Sequence, residues 1–522
     1  MEIAVPNYPM NGRAILLNTD DDVAVAVRAL AVGDTLEWEG GSCTVQAPIP
    51  AGHKLAVRAV EIGEPVRKYG QIIGYALQQI APGDWVHTHN LGHGPARREY
   101  EFAVDLRHPP VPAEERTFLG YSNPSGRAGT RNYLALISTV NCSADTVHLI
   151  AQRLRSEVLP DFPNVDGVAV VAHGTGCGMQ LGGKEYRLLQ RCLAGIANHP
   201  NVAAALFVGL GCEVNQPTDL LRNEQILAPR ISAGASKPTA HALTIQQAGG
   251  VRKAVQAAMD QALPLLRQAN ARRRVAFPIA HLAIGTNCGG SDGNSGITAN
   301  PALGLAGDRF VAHGATWVLA ETTETYGAEH LLTRRAVNQE IGEKLLSHIR
   351  WWEDYVAAFG ASIDNNPAPG NKEGGLTTIY EKSLGAVAKS GSTPLRAVYE
   401  FAEPVREPGL CFMDTPGLDN VSVTGLVCGG CNLVAFTTGR GSCLGFKPTP
   451  VLKVATNSAL YEHMPDDMDV DAGVILHGVP MREVADTLFE ELIAVASGKQ
   501  TKSEAQGLGD FTFTPWALGP VL

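Results

Sequence analysis

Four short strings set a thiol in the turn that follows an apolar run: Asn141-Cys142-Ser143, His173-Gly174-Thr175-Gly176-Cys177-Gly178, Gly209-Leu210-Gly211-Cys212-Glu213 and Asn287-Cys288-Gly289-Gly290-Ser291-Asp292. Thiolates bind iron or zinc, and carboxylates such as Glu213 and Asp292 suit harder ions. The glycines let the backbone turn sharply and approach a small ligand. Any one of these cysteines reads equally well as a small buried hydrophobe. Together, flanked by Asp, Glu, His and Asn, they favour a shared site. Three of the four suffice for one cluster, and spacing alone does not show that they converge.

A second set of possible ligands lies nearer the N-terminus. In His87-Thr88-His89 an extended backbone puts both imidazoles on one side. That geometry can hold a divalent ion, and an exposed strand face explains it as well. His53 stands alone between Gly52 and Lys54. Two loops suit an anion. Residues 369–375 offer backbone N–H groups beside Lys372, and residues 437–441 add the hydroxyls of Thr437 and Thr438 to the Arg440 guanidinium, which grips a carboxylate as a fork. Each loop alone is equally a surface turn; two in one chain favour a small acidic ligand. Cys428-Gly429-Gly430-Cys431 has no second pair to complete the four ligands of zinc, and reads as structural. No GxxxxGK[ST] occurs, and no GxGxxG follows a strand, so nucleotide chemistry finds no support.

These loops need elements to position them. Residues 1–105 read as short strands, with alternation in Thr35–Glu39 and Lys54–Val60 and Gly-rich turns between. Residues 106–117 hold the Pro-rich, charged stretch RHPPVPAEER and read as a linker. Beyond it, apolar runs at Val168–Ala172 and Ala203–Val208 end in Gly/Cys loops, and helical patterns at Lys184–Ala194 and Val251–Gln268 separate them. Such alternation predicts mainly parallel sheets, with the functional loops at the carboxyl ends of the strands. Asn270–Arg274 marks a second boundary, giving α/β regions at 118–272 and 273–522. The strand Leu282–Ile284 is expected to run directly into a loop over Thr286–Gly296.

The bulk numbers narrow the partners. A chain of 522 residues exceeds what one core serves. A hydrophobic fraction of 45% with 18% charged residues is a globular balance. Net charge is -10 without a long basic run, which argues against nucleic acid, since such partners are held by Lys and Arg on phosphates. No apolar run reaches the roughly 18–20 residues that cross a bilayer, and the N-terminus lacks a signal-peptide layout. A cytoplasmic protein is expected, its 10 Cys serving as thiols or metal ligands rather than disulfides.

The strings Gly52-His53-Lys54, Tyr69-Gly70, Ile73-Gly74-Tyr75-Ala76, Gly209–Glu213, Cys288–Asp292, Ser295–Pro301, Pro369-Gly370-Asn371-Lys372 and Thr438–Gly441 resemble the altronate/galactarate dehydratase family nearly end to end. The fold this implies is α/β, with a small N-terminal β-rich SAF-type (β-clip) domain followed by Rossmann-like α/β domains with mainly parallel sheets. The activity it implies is β-elimination of water from a sugar acid, assisted by Fe2+ or another divalent metal. Val86–Asn90 and Tyr326–Glu329 look more like the altronate branch than the galactarate branch, whereas His173–Cys177 departs from the Tyr-Gly-Cys common to both. Sulfolactate sulfo-lyase is related, but there the two modules are separate chains. D-altronate would give 2-dehydro-3-deoxy-D-gluconate. The resemblance leaves two ligand sets in competition. His53, His87 and His89 would hold a mononuclear ion; Cys142, Cys177 and Cys288 would hold an iron–sulfur cluster. Glu213, Asp292 and His53 are candidates for acid/base work. Asn371, Lys372, Thr438 and Arg440 would bind substrate. Galactarate is the alternative substrate, a non-catalytic sugar-acid binding protein the alternative class, and a symmetric homodimer the expected assembly.

Overall fold

The N-terminal strands pair into an antiparallel sheet in the order Tyr8–Met10, Ala14–Leu16, Val23–Ala26, Lys54–Ala56, Trp85–Val86, with a second sheet of Pro65–Lys68, Gln71–Ala76 and Leu91–Gly92. The structure, a computed structural model, describes residues 8–38, 40–94, 99–110, 112–123, 126–223 and 240–518. The hairpin strand Thr35–Trp38 buries Leu36 between exposed neighbours, as its alternation requires. The other alternating run behaves differently. Its strand is only Lys54–Ala56 and is buried throughout, because Lys54 is enclosed by another part of the chain.

The chain enters and leaves its next unit through a two-stranded antiparallel stalk, Thr117–Gly120 against Val275–Pro278. Between them, four parallel strands stand in the order Gly167–Val171, Tyr133–Ser138, Val202–Gly209, Ala240–Thr244. Both faces are covered, which is why these strands read as unbroken apolar runs. Leu134, Leu136, Val168, Val170 and Leu206 pack under helices Ala144–Arg153 and Val251–Asn270. Ala135, Ile137, Ala205 and Phe207 pack under helix Lys184–Ala197, and that core continues into Val434 and Phe436 of the last unit.

The last unit is a seven-stranded, all-parallel sheet in the order Leu395–Tyr399, Gly409–Met413, Thr316–Leu319, Ala283–Cys288, Leu433–Thr438, Val451–Ala455, Val470–Asp471. Successive strands step one way from Ala283–Cys288 to Thr316–Leu319, and the chain later restarts on the opposite side at Leu433–Thr438. Between these neighbours the order reverses, and the crevice beyond such a switch point is where open parallel sheets bind ligands. The strand expected at Leu282–Ile284 continues to Cys288, so Thr286, Asn287 and Cys288 lie in the sheet rather than in a loop. Fully buried Trp317 and Phe310 seat helix Ala299–Ala312 on this sheet. Loss of either ring would cost about 3–5 kcal/mol. Among the described residues no helix is long and apolar enough to cross a membrane.

Candidate functional site

At the carboxyl end of Ala283–Cys288 the thiol of Cys288 meets two glutamates from the neighbouring strand's exit loop. The sulfur, Glu321 and Glu324 offer ligand atoms within 4.8 Å of one another, the one such group of three among the described residues. The Glu321 carboxylate accepts from the Cys288 backbone N–H at 2.9 Å, and the thiol donates to Glu324 Oε2 at 3.5 Å. Glu321 holds this place with φ +69°, a left-handed backbone that a residue with a Cβ adopts at a cost of roughly 1–3 kcal/mol. Two lysines enter from helix Ile379–Val387 and the turn after it. Lys389 Nζ lies 2.9 Å from Cys288 Sγ and 2.7 Å from Glu321 Oε2. Lys382 Nζ lies 2.7 Å from Glu324 Oε1 and 2.8 Å from the Asn366 side-chain oxygen.

Burial opposes every charge here, and mutual attraction decides which survive. Burial and Glu321 push the Cys288 thiol well up, so it keeps its proton. Burial works against the Lys389 charge but is outweighed by Cys288, Glu321 and Glu324; Lys382 is held up by Glu324 in the same way. Glu324 stays ionised, since Lys382 and Lys389 outweigh its burial, whereas burial raises Glu321. Asp419, at the start of helix Asp419–Cys428, is pushed up to about 7 by burial and by repulsion from Glu321 and Glu324. Its carboxylate lies against Gly289, where any side chain would collide with it.

The small module closes over this site. Lys54 and Lys68 both grip Glu381, at 2.8 and 2.9 Å, with all three side chains fully buried. Burial opposes ionisation of Glu381, but the two ammoniums outweigh it and take the carboxyl down to about 2. Tyr69, in a left-handed conformation with φ +62°, lines one small cavity together with Cys288, Ser291, Asn300 and Lys382. The hydroxyl of Ser291 and Glu321 Oε1 are buried without a partner among the described residues. Buried polar atoms of that kind call for a polar ligand or water.

The residues singled out from sequence fall into three groups. His87-Thr88-His89 is a turn rather than a strand. The strand stops at Val86, and Asn90 Oδ1 accepts from the His87 N–H at 2.9 Å. The expected shared side therefore does not form: His87 turns inward and His89 is exposed. His87 Nε2 donates to the Lys372 carbonyl at 2.9 Å, and Thr88 donates to its Nδ1 at 3.1 Å. His53 Nε2 donates to the Glu373 carbonyl at 3.1 Å, and Trp85 donates to its Nδ1 at 3.3 Å. Burial lowers both imidazoles, His53 to about 4, so they stay neutral. With every lone pair used, they pin residues 369–373, a short helix, to the small module.

Asp292 and Glu213 are buried braces. Asp292 accepts from Ser295, Thr456 and Asn457, which ties the turn after Cys288 to the loop after Thr438. Glu213 accepts from Thr139 and from the N–H groups of Leu210 and Gly211. Asn371 donates to the Ser291 carbonyl at 2.8 Å, and Thr438 Oγ1 accepts from Gly441. Among the described residues the one ion pair of Arg440 is with exposed Glu373, at 3.3 Å, and the Lys372 ammonium has none; both remain available to a ligand. Cys142 and Cys177 are exposed on the four-stranded unit, so the set with Cys288 is not brought together; Cys288 is enclosed by Lys389 and Glu324. Sequence reading missed Lys54, Lys68, Glu321, Glu324, Glu381, Lys382, Lys389 and Asp419. The available signal was charge inside apolar elements, above all Lys382 and Lys389 two helical turns apart in a segment otherwise rich in Leu, Ala and Val.

Comparison with known proteins agrees with this three-part layout. Residues 12–94 match the altronate/galactarate dehydratase SAF domain, residues 120–270 the D-galactarate dehydratase/altronate hydrolase second domain, and residues 279–521 the D-galactarate/altronate dehydratase C-terminal domain. Altronate dehydratase of Escherichia coli (strain K12) is 36% identical over 496 residues, 94% of this chain and 96% of the relative. Altronate dehydratase of Bacillus subtilis (strain 168) is 34% identical over 493 residues, 94% and 96% of the two chains. Galactarate dehydratase (L-threo-forming) of Escherichia coli (strain K12) is 36% identical over 502 residues, 95% of each.

Proposed function

Since the chain belongs to the D-galactarate/altronate dehydratase family, we propose that it is a hydro-lyase that eliminates water from D-altronate to give 2-dehydro-3-deoxy-D-gluconate. The observation that carries the reading is a pair of buried ammoniums at the carboxyl end of the sheet: Lys382 lines the small cavity beside Cys288, and Lys389 lies behind it, against the Cys288 sulfur. The C2 proton of a sugar acid is weakly acidic because its loss builds an enediolate beside a carboxylate. Preorganised positive charge in a water-poor site offsets that anion. Lys382 and Lys389 supply it. Asp419, poised between its two states, takes the C2 proton as general base. Lys372 and Arg440 hold the substrate carboxylate, and Tyr69 keeps bulk water out.

A divalent ion such as Fe2+, when bound, would stabilise the same anion as a Lewis acid. Cys288, Glu321 and Glu324 fit one by spacing, and the orphaned Glu321 Oε1 is a free donor. They do not fit by charge. The thiol is protonated, and Lys389 already stands between Cys288 and Glu321. In this reading the lysines carry the reaction.

Galactarate is the second reading, favoured by the equal identity to the two Escherichia coli relatives. We read the small module as a β-clip and the parallel-sheet units as Rossmann-like. A symmetric homodimer working in the cytoplasm completes the proposal, ten free thiols suiting a reducing compartment. Anaerobically purified protein given D-altronate or galactarate, with assay of 2-keto-3-deoxy acid, tests it. Product from altronate supports the reading; product from galactarate alone moves the substrate; binding without product under iron and reductant would make the chain a binding protein.

A further inference from the structure

Three parallel strands, Gly167–Val171, Tyr133–Ser138 and Val202–Gly209, lie side by side, and each is followed within six residues by a cysteine: Cys177, Cys142 and Cys212. All three thiols are free and exposed. Their loops are laced together. The Asn141 N–H donates to the Thr175 carbonyl at 2.8 Å and the Asn215 N–H to the Gly176 carbonyl at 3.1 Å. Asn215 Nδ2 donates to the Thr139 carbonyl at 2.9 Å, and Thr139 Oγ1 to Glu213 Oε1 at 3.0 Å. Gly176, at φ +99°, allows the closest approach, since any side chain there would strike the Thr139 carbonyl. Buried Glu213 and Asn215 thus fix the three cysteine-bearing loops relative to one another.

We propose that Cys142, Cys177 and Cys212 form a three-thiolate seat for a four-iron, four-sulfide cluster. Thiolates around a single tetrahedral zinc lie about 3.8 Å apart, from metal–sulfur bonds of about 2.3 Å. These three sulfurs do not all lie within 4.8 Å of one another, so they are not a preassembled single-zinc site. Cys142 sits at the entrance to the ten-residue helix Ala144–Arg153. Gln246 Nε2 donates to Cys212 Sγ at 3.4 Å, and such N–H groups stabilise a negatively charged cluster. Unligated, three exposed thiols on one rim are an oxidation hazard. On assembly the thiols release three protons, three iron–sulfur bonds form with no change in oxidation state, and the fourth iron keeps a coordination position for a small oxygen ligand.

The full chain is loaded anaerobically with ferrous and ferric iron in equal amounts and with sulfide. We expect a visible charge-transfer band and about four irons and four sulfides per chain, and, after mild ferricyanide oxidation, loss of one iron to give a three-iron EPR signal. Cys142→Ser, Cys177→Ser and Cys212→Ser each abolish the band, whereas Cys443→Ser and Cys288→Ser keep it. In the wild-type chain, loading protects Cys142, Cys177 and Cys212 from alkylation and leaves Cys443 reactive, a readout independent of any variant's folding. One iron per chain without sulfide, a band that survives all three substitutions, or equal alkylation of loaded and unloaded protein would overturn the proposal. None of these readouts requires turnover, so the result is separate from the dehydratase reading.

Discussion

The Lys389 ammonium lies 2.9 Å from the sulfur of Cys288, inside a fully buried group that no single element could assemble. The strand supplies the thiol, the turn after Ile379–Val387 supplies the cation, and one carboxylate oxygen of Glu321 accepts from both the Cys288 backbone N–H and the Lys389 ammonium. Lys389→Met removes the charge and leaves Glu321 buried and unpaired. Breaking a buried pair from one side costs about 3–5 kcal/mol, so thermal or denaturant unfolding should show a large loss. The double variant Lys389→Met/Glu321→Gln should recover much of that stability while dehydration stays lost. Recovery of turnover in the double variant would show that Lys389 is structural only.

Asp419 is the group whose titration falls where a base is needed. Its carboxyl is raised to about 7, so the basic form grows as pH rises through neutrality. The rate of dehydration, followed as kcat/KM, should climb on the acid side with an inflection near 7. Asp419→Asn should lower kcat roughly 100- to 10,000-fold and remove that inflection, with little change in KM. An unchanged acid limb in the variant would exclude Asp419 as the base.

Much of the scaffold could be read from sequence, because buried parallel strands advertise themselves. The runs at Val168–Ala172 and Ala203–Val208, and the helices beginning at Lys184 and Val251, lie close to where their periodicity puts them. The chemistry was less legible. Lys54 is a strand residue whose burial comes from Glu381, which is 327 positions away, and no local pattern encodes that partner. His53 and His87 look like ligands in one dimension, yet backbone carbonyls of residues 372 and 373 occupy them in three. Cys288 shares its Cys-Gly context with Cys177 but ends a different sheet. Only tertiary structure distinguishes them.

The grip of the small module should depend on acid. Glu381 titrates at about 2 in the folded protein against an ordinary value of 4.5. A carboxyl held low binds protons more readily when unfolded, so its contribution is full above about 4.5 and is lost as pH falls toward 2. Stability followed against pH should decline through that window, and Glu381→Gln should show a shallower decline from a lower starting point. His53, held near 4 against an ordinary 6.5, adds a loss that begins earlier, as pH falls below 6.5. Equal slopes for Glu381→Gln and wild type would remove Glu381 from this account.

Arg440 and Lys372 remain available to a ligand, and among the described residues the one ion pair of the guanidinium is with exposed Glu373. A carboxylate held there in the ground state remains held in the transition state, so removing its partner weakens both equally. A charge-assisted hydrogen bond contributes about 1.5–3 kcal/mol, which corresponds to about 10–100-fold in KM. Arg440→Ala and Lys372→Ala should therefore raise KM by that factor with kcat nearly unchanged. Arg440→Lys should recover only part of the affinity, since an ammonium cannot form the two-pronged contact. If Arg440→Ala instead lowers kcat and leaves KM alone, the guanidinium acts on the developing charge, and the substrate carboxylate is bound elsewhere.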